Sequence, residues 1–214
     1  MSILIETAYL PPIGYMAEVA AAGMAVIELF ETYTKQTCRN HAVIYGPNGK
    51  QTLSIPVIKI NGNKTITKDI RLSDHQPWQK IHWRSIETAY NNSPFFLYYQ
   101  DDLAPFYEKK FVFLADWNHE LLAKLLHILK AGCTLQFSDH FDKVPAGIDD
   151  KRNGPVLKHV TSLSRFPRYT QVFEPRHGFL PGLSIIDLLF NLGPETASYL
   201  EALKTDLPKN NLPE

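Results

Sequence analysis

Residues 2–30 of the chain, SILIETAYLPPIGYMAEVAAAGMAVIELF, decide the fold. Two short apolar runs, 2–5 and 24–30, are typical of buried β-strands, and residues 16–22 between them are rich in good helix formers. Gly23 stands where a glycine commonly ends a helix. A strand, a helix and a strand joined by short connections predict a β-α-β unit whose two strands are parallel neighbours.

The composition is typical of a globular protein with one core. The chain has 214 residues, 44% of them apolar, and its 22 basic residues balance its 22 acidic ones. We expect one domain over residues 1–204 and a frayed tail at 205–214. Without net charge or an apolar run of roughly 20 residues, we expect neither a nucleic-acid nor a membrane partner. Two distant cysteines and the lack of a leader sequence predict a cytoplasmic protein.

Turn signals and apolar periodicity predict the remaining elements. In chain order these are a hairpin of 41–45 with 51–58, a hairpin of 55–60 with 64–70, helix 74–90, helix 116–131 capped by Asp116 or Asn118, strand 133–137, strand 169–173, a short helix with Ser184 and Asp187 at capping-box spacing, and helix 194–204. The polar segment 138–168 is interpreted as a covering or mobile loop. The predicted fold class is α/β, a single domain with a mixed sheet, an N-terminal β-α-β unit, antiparallel hairpins and packed helices.

The turn between the first strand and the first helix is a candidate ligand site. Residues 8–15 contain two prolines, one glycine and the tyrosines Tyr9 and Tyr15. Ligands of α/β proteins bind where strand carboxyl ends meet helix amino ends. Each tyrosine has an apolar ring with a polar tip, so both are candidates for stacking on a ligand. The alternative is a structural turn whose rings close one end of the core.

A polar stretch after the second strand supplies further candidates. If the first two strands are neighbours, Tyr33, Lys35, Arg39 and Asn40 lie beside the tyrosine turn. Lys35 and Arg39 would bind a phosphate or a carboxylate, arginine by a two-pronged contact and lysine as a point charge. The two cations would lower the thiol pKa of Cys38, but a nucleophilic role is disfavoured, because nothing in the sequence supplies a paired histidine. The alternative is a solvated connecting loop.

His82 is the candidate general base. It shares a predicted helix face with Trp78 and has the residue type most often used for proton transfer. A half-buried, hydrogen-bonded histidine is the alternative. The other histidines lack the short spacing of metal ligands, and no phosphate-binding glycine motif is present, so we predict neither a metal nor a cofactor. Asp187 is interpreted first as a helix cap and second as a carboxylate of the site.

Several stretches together resemble the WbqC-like protein family, which is found with bacterial surface-polysaccharide genes. They are 9–15 (YLPPIGY), 33–40 (YTKQTCRN), 53–57 (LSIPV), 82–90 (HWRSIETAY), 93–96 (SPFF) and 183–191 (LSIIDLLFN). Two residues depart from the family pattern, because Pro12 stands in place of a tryptophan and His41 in place of a common arginine. Segment 138–168 stands where longer relatives have a helix-rich stretch that this chain lacks.

The resemblance implies a bacterial protein that modifies a sugar or a sugar nucleotide for O-antigen or capsule. The first hypothesis is therefore a transferase that moves an acyl or aminoacyl group, with a small-molecule partner such as a sugar nucleotide. The second hypothesis is a non-catalytic ligand-binding or protein-interaction module, in which aromatic side chains form an exposed surface. Those side chains are Trp78, Trp83, Phe95, Phe96, Tyr98 and Tyr99. An enzyme predicts that Tyr9, Lys35, Arg39 and His82 converge on one pocket.

Overall fold

The computed structural model describes residues 1–152 and 166–205, with side chains through residue 203. In that part of the chain, a parallel sheet lies at the centre of the fold. Its strands are β1 (Ser2–Glu6), β2 (Met24–Glu28), β7 (Thr134–Phe137) and β8 (Asp149–Asp150), in the spatial order β7-β2-β1-β8. Ile3 pairs with Ala25 and with Asp149, which places β1 between β2 and β8.

The β-α-β unit predicted from residues 2–30 is confirmed. Helix α1 (Ile13–Ala21) joins β1 to β2, and these two strands are parallel. The helix begins directly after Pro12, because proline is well suited to the start of a helix. Leu10, just before the two prolines, has a φ of 39°, which is uncommon for a residue with a side chain. Backbone hydrogen bonds from Ile13 to Leu183 and from Ile185 to Pro11 hold this turn in place.

The first predicted hairpin is confirmed and the second is only partly right. β3 (His41–Gly46) and β4 (Gly49–Ser54) pair antiparallel. β5 (Val57–Ile58) pairs with β6 (Arg71–Leu72) and not with residues 64–70. Residues 62–64 and 67–69 form short 3-10 helices instead, because their backbone bonds to the stretch that follows β2. Tyr33 N donates to Thr65 O, and Thr67 N donates to Glu31 O.

The helices agree with the periodicity except at their ends. The described helices after β6 are α2 (Trp78–Tyr90), α3 (Phe96–Leu103), α4 (Leu114–Ile128), α5 (Glu174–His177), α6 (Ile185–Leu192) and α7 (Thr196–Thr205). α2 begins at Trp78 and not at residue 74, because Pro77 interrupts the pattern at its start. The predicted cap of α4 is wrong, since the N-cap is Phe113 and Asn118 is buried inside the helix. The sequence did not predict α3.

The region around residue 170 also corrects the sequence interpretation. Residues 169–173 form no strand, and the side chains of Tyr169 and Gln171 bond to Asp187. Ser184 does cap α6, and its hydroxyl accepts a hydrogen bond from Ile186 N at 3.4 Å. The loop predicted over 138–168 contains β8, and its residues 153–165 lie outside the described residues, as do tail residues 206–214.

A single apolar core packs the elements together. It combines side chains of the sheet, of α1 and of α4 with those of α6 and α7, as Ile5, Tyr15, Leu125, Phe190 and Leu203 illustrate. The predicted fold class is therefore confirmed as a mixed α/β domain with a parallel sheet and antiparallel hairpins.

Candidate functional site

A hollow of about 440 Å³ opens where the strands of the parallel sheet end. We call it the carboxyl-edge hollow. Its lining comes from the segments that follow β2, β7 and β8, and consists of Phe30, Glu31, Thr32, Thr34, Phe141, Lys143, Asp150 and Arg152. Ligands of open α/β sheets bind beyond the carboxyl ends of the strands. They bind at the point where the order of the strands reverses, so that the chain adds later strands on the other side of the first one. β1 lies at this point, because β2 and β8 lie on either side of it.

Arg39 forms the buried charged contact behind the hollow. Its guanidinium is 1% exposed and donates twice to Oε1 of Glu31, from Nε at 2.9 Å and from Nη2 at 2.5 Å. Nη1 lies 3.3 Å from Oε1 of Glu6 and donates to the hydroxyl of Thr37 at 3.1 Å. Arg39 therefore holds two carboxylates, and the expected phosphate would have to displace one of them.

Arg152 forms a second buried contact at the same edge. Nη1 donates to Oε2 of Glu28 at 2.9 Å, and Nη2 donates to Oδ2 of Asp150 at 2.7 Å. Oε1 of Glu28 accepts hydrogen bonds from Phe30 N at 2.8 Å and from the hydroxyl of Ser138 at 2.9 Å. Arg152 thus ties the end of β8 to the end of β2 and fixes the floor of the hollow.

Glu31 is the carboxylate with unused capacity. Both donors of Arg39 bond to its Oε1, and no described residue donates a hydrogen bond to its Oε2. Glu31 lines the hollow although only 8% of it is exposed. Burial raises the pKa of this carboxyl, and Arg39 opposes the shift. A half-satisfied carboxylate with a raised pKa at the wall of a cleft is a typical candidate for proton transfer.

Tyr9 and His82 meet, but inside the core. The Tyr9 hydroxyl lies 2.8 Å from Nδ1 of His82 and 3.3 Å from the hydroxyl of Tyr107, and the Tyr9 ring packs against Trp117. Tyr9 is 0% exposed and His82 5%. Burial lowers the pKa of His82 to about 4, so the ring is neutral at pH 7. Neither side chain belongs to the lining of the hollow, so the role of His82 as a base stays a prediction.

Tyr15 and Cys38 lie beside Glu6 and are buried as well. The Tyr15 hydroxyl donates to the backbone carbonyl of Glu6 at 2.9 Å. The lowered thiol pKa expected for Cys38 is wrong. Burial raises the pKa of this thiol, the negative charge of Glu6 adds to the shift, and Arg39 opposes it only partly. The neutral thiol is therefore the stable form, and it lies 4.0 Å from Oε1 of Glu6.

The remaining predicted residues divide between the interior and the rim. Tyr33 is buried, and its hydroxyl has no hydrogen-bond partner among the described residues. Asn40 donates to Ile55 O at 3.0 Å, so its side chain joins the Arg39 loop to the segment between β4 and β5. Lys35 is exposed and follows Thr34 of the hollow directly. The structure brings Tyr9, Tyr15, Arg39 and Asn40 together around the end of β1, and leaves Lys35 outside.

A separate polar cluster surrounds Asp187 in the core. The carboxylate is 0% exposed and accepts hydrogen bonds from the hydroxyls of Tyr169 at 2.6 Å and Tyr90 at 2.9 Å. Gln171 donates to it at 2.9 Å. Burial raises the pKa of Asp187 to about 6, although all three donors favour the charged form. The capping role expected for this side chain is therefore wrong, because Asp187 binds the segment 169–171.

The sequence did not single out four residues of the hollow, namely Phe141, Lys143, Asp150 and Arg152. All four lie in the polar segment 138–168, where no apolar pattern indicates structure. Glu31 was part of the predicted polar stretch, but its pairing with Arg39 was not anticipated. The sequence did contain one signal, which is that acidic and basic residues occur close together. Glu28 and Glu31 precede Arg39, and Asp150 precedes Arg152.

Two further features of the described residues bear on function. No group of three or more histidine, cysteine, aspartate or glutamate side chains in residues 1–152 and 166–203 is placed to hold a metal ion. Within the same part of the chain, no helix is both long enough and apolar enough to cross a membrane.

Fold and hollow together define an α/β protein with a ligand-sized cavity at the carboxyl edge of a parallel sheet. The sequence model of the WbqC-like protein family matches residues 7–153 and 151–199, and the chain therefore belongs to this family. A relative from Mycobacterium tuberculosis, Uncharacterized protein Rv1507c, is 27% identical over 223 residues, which cover 92% of this chain and 96% of the relative. No solved structure matches the chain significantly.

Proposed function

We propose that this WbqC-like protein is a transferase that binds a sugar or a sugar nucleotide in the carboxyl-edge hollow and moves an acyl or aminoacyl group onto it. The observation that carries the proposal is Glu31, a largely buried carboxylate that lines the hollow with one oxygen held by Arg39 and the other unused. The sugar ligand is proposed from the resemblance to the family, and the binding place is proposed from the position of the hollow.

Glu31 is the proposed general base. Oε2 would take the proton from a hydroxyl or amino group of the sugar while that group forms a bond to the carbonyl carbon of an activated acyl donor. The leaving group of the donor departs with the electron pair of the broken bond. Arg39 would hold Glu31 in place through Oε1 and keep its second oxygen directed at the acceptor. His82 would then support the turn through Tyr9 and would not touch the substrate.

The phosphates of a sugar nucleotide would bind at the rim of the hollow. Lys143 lines the hollow and is exposed, and exposed Lys35 follows Thr34 of the lining. Both ammonium groups are without an ion-pair partner in the described residues, in contrast to the two guanidiniums. Lysine binds phosphate as a point charge and needs no fixed geometry. We therefore keep the predicted anion-binding role for Lys35. For Arg39 we propose instead that it holds Glu31 in position.

The test is a transfer assay with a matched variant. Sugar nucleotides are incubated with an acyl thioester, and acylated products are detected by mass spectrometry. The Glu31→Gln variant should lose activity by about 100-fold or more, because general-base catalysis typically contributes that much. Glu108→Gln, a change at an exposed residue away from the hollow, should keep the activity of the wild type. Full activity in Glu31→Gln would refute the role of Glu31.

A non-catalytic binding module is the second candidate, and one surface favours it. Tyr98 is 72% exposed and Leu97 67%, and Tyr98 lines a separate cavity of about 490 Å³. The other aromatic residues expected on this surface give less support, because Trp78, Phe96 and Tyr99 are buried. If Glu31→Gln loses the transfer activity and Tyr98→Ala keeps it, the result would favour the transferase over the binding module.

A further inference from the structure

We propose that the group bound against Glu31 is a protonated amine of the ligand, as on an amino sugar, and not a phosphate or a carboxylate. This inference rests on the proposed binding of a sugar in the carboxyl-edge hollow, but it concerns recognition and not the transfer step. Two observations lead to it: the unused oxygen of Glu31 and the pairing of both guanidiniums with carboxylates.

The unused hydrogen-bonding atom at the inner wall is an acceptor. Oε2 of Glu31 accepts no hydrogen bond from a described residue, and Asp150 and the hydroxyls of Thr32 and Thr34 also line the hollow. The ligand group that meets this wall must therefore donate hydrogen bonds. An ammonium offers three donors and a full positive charge, which strengthens each hydrogen bond to a carboxylate.

The guanidiniums behind the wall are already paired with carboxylates of the protein. Arg39 is shared between Glu31 and Glu6, and Arg152 between Glu28 and Asp150. A phosphate placed against Glu31 would meet a carboxylate at close range, and like charges repel strongly where water is excluded. An ammonium at the same place would instead supply the positive charge that Oε2 of Glu31 lacks.

The aromatic rings of the hollow suit the sugar ring rather than its amine. Lys68 lies 4.3 Å from the ring centroid of Phe30, and the guanidinium of Arg152 lies 5.2 Å from that of Phe141, so cations of the protein already use these ring faces. Both rings line the hollow. Sugar rings pack their apolar faces on aromatic side chains, so the rings provide apolar surface beside the carboxylate of Glu31.

The test compares two probes that share a sugar ring and differ in the group at carbon 2, in both its charge and its size. Glucosamine carries a protonated amine, and N-acetylglucosamine has the same ring with a neutral amide. Binding is measured by equilibrium dialysis or by NMR chemical-shift changes. We expect glucosamine to bind at least about 10-fold more tightly than N-acetylglucosamine, in line with the strength of a charge-assisted hydrogen bond. Equal affinity, tighter binding of the acetylated sugar, or no binding of either sugar would overturn the proposal.

Two variants locate the effect. Glu31→Gln should abolish the preference for glucosamine, whereas the control Glu108→Gln should keep it. If Glu31→Gln does not fold, as circular dichroism would show, Asp150→Asn replaces it, because Arg152 still bonds to Glu28 and to the backbone carbonyl of Asp142. Asp150→Asn should weaken the preference, and an unchanged preference in the folded variant would contradict the inference.

The outcomes separate this inference from the proposed function. A glucosamine preference that depends on Glu31, without any transfer activity, would support the amine site and refute the transferase. Transfer to neutral sugars that depends on Glu31, without a preference for glucosamine, would support the transferase and refute the amine site.

Discussion

Protonation of Asp187 should stabilise the protein as the pH falls from 7 to 5, whereas buried His82, whose pKa burial lowers to about 4, should act in the opposite direction. Burial raises the pKa of its carboxyl to about 6 in the folded chain, against an ordinary value of 3.8. Because the folded state holds this proton more tightly than the unfolded state does, protonation stabilises the fold. The contribution is complete below about pH 3.8 and is lost as the pH rises through about 6.

The size of the effect follows from the two pKa values. A difference of about two units corresponds to about 3 kcal/mol, of which about 1 kcal/mol appears between pH 7 and pH 5. Tyr90, Tyr169 and Gln171 face the carboxylate directly and do not titrate in this range. The pH dependence of Asp187 itself is therefore measurable against that of a variant that cannot titrate.

The assay is urea unfolding followed by tryptophan fluorescence at pH 7 and at pH 5. The free energy of unfolding of the wild type, relative to that of Asp187→Asn, should rise by about 1 kcal/mol when the pH is lowered from 7 to 5. The amide also loses hydrogen bonds, but that loss does not depend on pH and leaves the comparison intact. Asp116→Asn, at an exposed aspartate, is the control and should follow the wild type. Identical pH dependence in the wild type and in Asp187→Asn would refute the raised pKa.

Three further predictions concern the residues around the end of β1. Arg39→Met should lower the free energy of unfolding by about 3–5 kcal/mol, because it leaves buried carboxylates unpaired. The control Lys35→Met, at an exposed residue, should change it by about 0.5 kcal/mol or less, and equal effects of the two variants in urea unfolding would contradict this prediction. Tyr9→Phe should destabilise by about 1–3 kcal/mol, because Nδ1 of His82 loses its partner, and Tyr98→Phe at an exposed ring should not. The His82 ring should stay neutral in NMR titrations down to about pH 5, because burial lowers its pKa to about 4. Protonation near pH 6.5, as in an unfolded chain, would be inconsistent with its burial.

Local signals in the sequence predicted the β-α-β unit and most helices. The alternation of apolar strands with a helix over residues 2–30 depends only on neighbours in the chain, and so does the hairpin of β3 and β4. The second hairpin was misplaced because the backbone of residues 65–68 bonds to the stretch after β2. Such long-range competition for hydrogen bonds is not visible in the pattern of residues 55–70.

The sequence indicated the strand ends as the candidate site, but it did not predict the contacts between the side chains there. Sequence reasoning placed ligand binding at the strand ends and named Arg39, yet it assigned Arg39 to a ligand where the fold assigns it to Glu31 and Glu6. Tyr9 is buried against Trp117, which lies far along the chain, and His82 is buried against Tyr9 and Trp78. β8 has two residues, both aspartates, so neither length nor polarity predicts a strand.

The most direct test of the central claim is ligand binding to a protein whose hollow has been filled. Sugar nucleotides are screened by thermal shift against the wild type, against Thr34→Trp and against the control Lys110→Trp. Thr34 lines the carboxyl-edge hollow, whereas Lys110 lies at a different cavity on the surface. We predict a ligand that raises Tm in the wild type and in Lys110→Trp but not in Thr34→Trp. An equal shift in all three proteins would place the ligand elsewhere and contradict the account.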